Sequence, residues 1–258
     1  MIEHSFVFLE RFSEQREQKL WQEGIRTWND FLARERIQGI GLQKKQYYDV
    51  CVRQARQHLN NKDLQALMAL FPKRYHWRLY NLFKDQALAL DIETTGYYGD
   101  ITVIGLHDSL EQHFLVKNKN LSHEPLQQLL KEPSLLLTFN GLSFDVPVIK
   151  RRFPQLEESF ARQAHIDLRF VAASLGLTGG LKVIEERLGL SRGEELQGVC
   201  GADAVWLWNN YCMCGEEEYL ERLLDYNEAD CKNLFYLAEK LIPQLWAETF
   251  TTVHSQKQ

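Results

Sequence analysis

Two hydrophobic periodicities divide the chain. Residues 1–84 carry apolar positions at helical spacing, in EQREQKLWQEGI, in TWNDFLARERI, and again over 46–58 and 62–71. Thr27 fits the N-cap of the second segment, Gly24 fits the end of the first, and FPKRY at 71–75 breaks the pattern. From residue 86 the sequence becomes β-rich. Strands are predicted at 86–93, 101–107, 112–116, 134–140 and 164–167, the first three joined by the YYGD turn at 97–100 and by Asp108-Ser109. Helices are predicted from Ser122 to about 131, from Asp145 to about Phe153, and over 168–175, 181–188, 201–210 and 216–242. The last has a break near 225, and Pro243 lies just past its end. Gly176, Gly179, Gly180 and Gly189 supply stops. The order implies an α/β fold, a mixed five-stranded sheet flanked by helices, preceded by a small all-helical domain. The expected domains are 1–85 and 86–258.

The run ALALDIETTG at 87–96 carries the first chemical signal. Side chains two apart on a strand share a face. Leu88, Leu90 and Ile92 therefore point one way, and Ala87, Ala89, Asp91 and Glu93 point the other. Two adjacent carboxylates repel each other and are costly to bury, which a divalent cation relieves. A lone D-x-E at a strand end also fits two solvated acids.

Composition narrows the classes. The chain has 258 residues, 45% hydrophobic and 25% charged, as a globular protein does. No apolar run approaches the roughly 20 residues of a membrane span. MIEHSFVFLERF lacks the basic start and long apolar core of a signal peptide. A cytoplasmic location without membrane association is the expectation. Five cysteines (Cys51, Cys200, Cys212, Cys214 and Cys231) at irregular spacing argue against a disulfide framework and lack the paired knuckles of a zinc ribbon.

Charge is distributed unevenly. Residues 1–85 hold 15 Lys+Arg against 10 Asp+Glu, while residues 86–258 hold 15 against 25. Nine basic residues fall within 42–84: Lys44, Lys45, Arg53, Arg56, Lys62, Lys73, Arg74, Arg78 and Lys84. A basic module beside an acidic one suggests a polyanion partner for the first and metal ligands in the second. A solvated helical surface gives the same composition.

Two further acidic segments follow. In FNGLSFDVPVI, 139–149, a strand ends at Asn140, Gly141 allows a sharp turn, and Asp145 opens a helix. An N-cap role explains Asp145 alone equally well. Lys150, Arg151 and Arg152 follow, placed to meet phosphates or to complement the helix dipole. In LLDYNEADCKNLFYL, 223–237, Tyr226 and Asp230 are four apart and share a helix face. Asp167 reads as a cap of the helix after it, and His165 as a structural histidine.

Asp91-x-Glu93 with Thr94-Thr95-Gly96, Asn140-x-x-x-Phe144-Asp145, and Tyr226-x-x-x-Asp230 resemble the three exonuclease motifs of the DnaQ-like DEDD superfamily. The tyrosine resembles the DEDDy branch. FNGxxFDxP, the HxDL of His165 to Leu168, and the YNxxD ending are most similar to YprB-type RNase H-like proteins. The resemblance covers about 86–242. It implies an RNase H-like fold and 3′–5′ exonuclease chemistry on DNA or RNA ends, with two divalent cations, Mg²⁺ or Mn²⁺. Asp91, Glu93, Asp145 and Asp230 are then the metal ligands, and Tyr226 the fifth catalytic residue. Thr94, Thr95, Asn140 and Phe144 are candidate contacts to the terminal nucleotide, though Phe144 equally fits the core. A catalytically silent nucleic-acid-binding module and a structure-selective endonuclease are alternatives on the same fold. In the N-terminal region, LWQEGIRTWNDFLA at 20–33 resembles short helical hairpins of DNA-processing proteins, with Trp21, Trp28 and Phe31 expected in the core.

Overall fold

The computed structural model describes residues 1–96, 99–108, 110–132, 134–190 and 201–251. The chain divides into two compact units: Met1–Lys84 together with the chain from Ile242 onward, and Asp85–Leu241.

The first unit contains α1 (Glu14–Gln22), α2 (Trp28–Ala33), α3 (Leu42–Asn60), α4 (Leu64–Leu70) and α5 (Tyr80–Phe83), with a 3₁₀ stretch Lys73–Leu79 after Pro72. Thr27 caps α2 reciprocally with Asp30, so both ends of the capping box are satisfied. Gly24, in the left-handed region at φ 81°, turns the chain out of α1. Trp21, Trp28 and Phe31 are buried, as expected of core residues. Arg78 and Glu17 form a buried pair with an N–O separation of 2.9 Å. Trp246 and Phe250 pack edge-on against Trp21.

The second unit is built on β1 (Ala87–Thr94), β2 (Ile101–His107), β3 (Gln112–Val116), β4 (Leu135–Thr138) and β5 (Ala164–Asp167). The sheet order is β3-β2-β1-β4-β5. The β1–β2 and β2–β3 pairs are antiparallel, and the β1–β4 and β4–β5 pairs are parallel. The mixed sheet follows from the connections: tight turns reverse the chain early, and crossovers through helices keep later strands parallel. The helices are α6 (His123–Leu129), α7 (Asp145–Arg152), α8 (Glu157–Ala161), α9 (Leu168–Ser174), α10 (Leu181–Arg187), α11 (Gly201–Cys214) and α12 (Glu217–Thr251).

The alternation along β1 separates two cores. Leu88, Leu90 and Ile92 join Ile104, Leu106, Val146 and Ile149 on one side. A second cluster gathers Val103 and Val116 with Leu207 and Trp208 of α11 and Leu223 and Tyr226 of α12.

The expected break near 225 is absent, and α12 runs 35 residues with Pro243 inside it. Proline removes one backbone donor and bends a helix, at a cost that packing beyond it can offset. Trp246 and Phe250, which stack on each other, provide that packing. Strand β4 is shorter than the expected 134–140, because Asn140 takes a left-handed conformation at φ 70°.

Candidate active site

Strand β1 delivers Asp91 and Glu93 to its C-terminal end, and α12 delivers Tyr226 and Asp230 on successive turns of one face. Asp91, Glu93 and Asp230 each offer a carboxylate oxygen, and these atoms all lie within 4.8 Å of one another. Among the described residues this is the grouping of acids, histidines or cysteines with metal-binding geometry. The three side chains line a cleft of about 430 Å³ with Ile92, Thr94, Gly96, Phe144, Tyr226 and the Gly201, Ala202 and Val205 end of α11.

Electrostatics reinforce the geometry. Glu93 is pushed up to about 8, first by burial and then by the Asp230 charge. A nearby amide, Asn227, and the Lys182 ammonium pull it back only in part. Asp145 is pushed up to about 7, again chiefly by burial, with Asp167 and Asp230 adding repulsion. Such acids are held at a cost when no cation accompanies them. Three hard carboxylate oxygens on one spot form a donor set that could hold a divalent cation.

A model of the RNase_H superfamily matches residues 88–242. The chain belongs to the RNase_H superfamily. Among curated proteins, none matches it. The mixed five-stranded sheet with flanking helices is that superfamily's α/β architecture. No described helix is long and apolar enough to cross a membrane.

Within this RNase_H superfamily domain the residues singled out from sequence fall in different places. Asp145 is the first residue of α7, buried, and its Oδ1 accepts the N–H of Ile92 at 3.1 Å. It stands beside the triad rather than in it, close enough to raise Glu93 further. Tyr226 is buried in the cleft wall, and the Lys182 ammonium lies 4.7 Å from its ring centroid. Thr94 lines the cleft while its hydroxyl donates to the carbonyl of Gly96 at 2.8 Å. The Thr95 hydroxyl accepts the N–H of Asp100 at 3.0 Å, so it shapes the following turn. Asn140 receives Arg169 on its carboxamide oxygen. Phe144 both lines the cleft and packs on the core. Lys150 is paired with Glu157 at 2.8 Å.

Asp167 does cap the next helix, accepting the N–H of Arg169, and it does more. It also accepts the N–H groups of Asn140 at 2.8 Å and Leu142 at 3.1 Å, anchoring the turn that leads to Asp145. Residues that sequence reasoning gave no role are Lys182, Asn227 and Gly105. The signals were present: an asparagine next to Tyr226 and a glycine in the middle of a strand, which marks close approach by another group. Of the cysteines, Cys212 and Cys214 are exposed and Cys231 is buried, while Cys200 lies outside the described residues.

Proposed function

We propose that the domain is a divalent-metal-dependent nuclease, and specifically a 3′–5′ exonuclease of DEDDy type acting on DNA or RNA. The convergence of Asp91, Glu93 and Asp230 on one point of a cleft, with Tyr226 in its wall, carries this reading. Asp91, Glu93 and Asp230 would hold a divalent ion, and Asp145 would help to hold a second. A metal pair supplies a water-derived nucleophile at neutral pH and charge stabilisation on the leaving oxygen.

The chain's own side chains do the remainder. Tyr226 would orient a water by donating its phenolic hydrogen. Phe144 offers a face for a terminal base. In the net reaction water oxygen bonds to phosphorus, the bond from phosphorus to the 3′ oxygen breaks, and that oxygen leaves protonated. The products are a nucleoside 5′-monophosphate and a strand one residue shorter.

A 5′-labelled single strand incubated with Mg²⁺ or Mn²⁺ tests this. A ladder shortening stepwise from the 3′ end is the expected result. Internal cuts would indicate an endonuclease, and binding without cleavage, unaffected by Asp91→Asn, would indicate a non-catalytic module.

A further inference from the structure

Asp91 on β1 lies directly across from Gly105 on β2 in the antiparallel register. The space that a side chain at 105 would fill is taken by Asn227, which enters from α12, one residue past Tyr226. Asn227 is fully buried, and its Nδ2 donates to Asp91 Oδ2 at 2.8 Å. Glu93 belongs with Asp91 and Asp230 to the same grouping of carboxylates. The Asn227 carboxamide oxygen points towards Gly105 and has no hydrogen-bond partner among the described residues. The orientation follows from chemistry, since an amide oxygen turned to the Asp91 carboxylate would meet an acceptor instead of a donor.

We infer that Asn227 is a positioning residue that clamps the carboxylate of Asp91, in the grouping with Glu93 and Asp230, for a divalent cation, and that Gly105 is glycine so that the clamp can enter. This rests on the metal-site reading above.

Three observations support it. Neighbouring acids repel each other, and a neutral amide can hold Asp91 in place without adding positive charge that would compete with a cation. A lysine or arginine there would neutralise the site instead. The amide also leaves the second oxygen of Asp91 uncommitted to Asn227 while fixing its rotamer, as outer partners of metal ligands do. Finally, a Cβ on residue 105 would overlap the Asn227 carboxamide oxygen outright. Its other near neighbour, Gln112 Nε2 at 3.2 Å, is the far end of a flexible side chain and can move aside.

The test is Mn²⁺ binding to the full chain, without nucleic acid, by calorimetry and by the electron paramagnetic resonance of free Mn²⁺, with melting curves in EDTA as a control on folding. Asn227→Ala is expected to weaken Mn²⁺ binding by about 10- to 100-fold while the protein still melts cooperatively. Gly105→Ala, which displaces the amide without deleting it, is expected to weaken binding similarly. In the Asn227→Ala background, Gly105→Ala is expected to cost nothing further, because the clash is gone. Unchanged affinity in Asn227→Ala, or an equal penalty for Gly105→Ala in both backgrounds, would overturn the inference while leaving the metal site standing. A wild-type chain that binds no Mn²⁺ would remove the metal site itself, and the clamp with it.

Discussion

Asp91→Asn and Asp230→Asn each delete a carboxylate from the triad while keeping its shape. Turnover on a labelled strand is expected to fall on the order of 10³-fold or more, about 4 kcal/mol of barrier. Stability in EDTA should hold or rise, because one repelling charge is gone. Wild-type turnover in either variant would refute the site. Tyr226→Phe is expected to lose less, about 10- to 100-fold, since the carboxylates stay. The raised carboxyls give a pH prediction with a definite sign. An acid whose folded value lies above its unfolded one contributes stability while protonated, in full below the unfolded value near pH 4. That contribution is lost as pH rises through about 7 for Asp145 and about 8 for Glu93. In EDTA, the melting temperature of the wild type should therefore decline relative to Glu93→Gln between pH 5 and 8. Parallel curves for the two proteins would contradict the assignment. Mn²⁺ binds the ionised carboxylates, so the stabilisation it gives should grow with pH over the same interval.

At the scale of elements, the turn from β4 into α7 decides where Asp145 stands. Asn140 sits at φ 70°, and a Cβ on Gly141 would overlap the Thr138 side chain, so the turn tolerates few sequences. Asp167 at the end of β5 holds it through the N–H groups of Asn140 and Leu142, while capping α9 through that of Arg169. Asp167→Ala strands those donors and is expected to cost about 3 kcal/mol. Turnover should fall with it, because α7 loses its fixed start. A variant as stable as wild type in urea titration would show the latch to be dispensable. The β1–β2 pairing also decides the site. It aligns Asp91 with Gly105, and a one-residue slip would move both acids to the other face.

At the scale of the molecule, the basic excess of residues 1–85 is partly consumed internally. Arg78 is buried against Glu17, and Lys45 is buried with its ammonium 2.6 Å from Asp49. Arg53, Lys62, Lys73, Arg74 and Lys84 are exposed. If these side chains meet phosphates, exchanging Arg53, Lys73 and Arg74 for Gln should weaken single-strand binding. It should also lower the slope of log affinity against log salt by about 0.7 for each phosphate no longer neutralised. An unchanged slope would assign the basic surface no part in binding. Point substitution is the sharper tool here, because Trp246 and Phe250 pack on Trp21, and deleting residues 1–85 would expose them.

Much of this was legible along the chain. The period-2 pattern through Leu88, Leu90 and Ile92 determined which face of β1 carries the acids, because alternation is a property of the strand itself. The Thr27 cap, the Gly24 stop and the burial of Trp28 and Phe31 were local in the same sense. The continuation of α12 past Pro243 was not, since the packing that sustains it comes from Trp21, far away in sequence. Asp145 and Asp230 could be named from spacing, but their different standings could not. Only folding brings Asp230 within reach of Asp91 and Glu93 while Ile92's backbone engages Asp145. The same holds for Asn227 and Gly105. Each is an ordinary residue in its own element, and the strand register together with the helix approach brings them against each other.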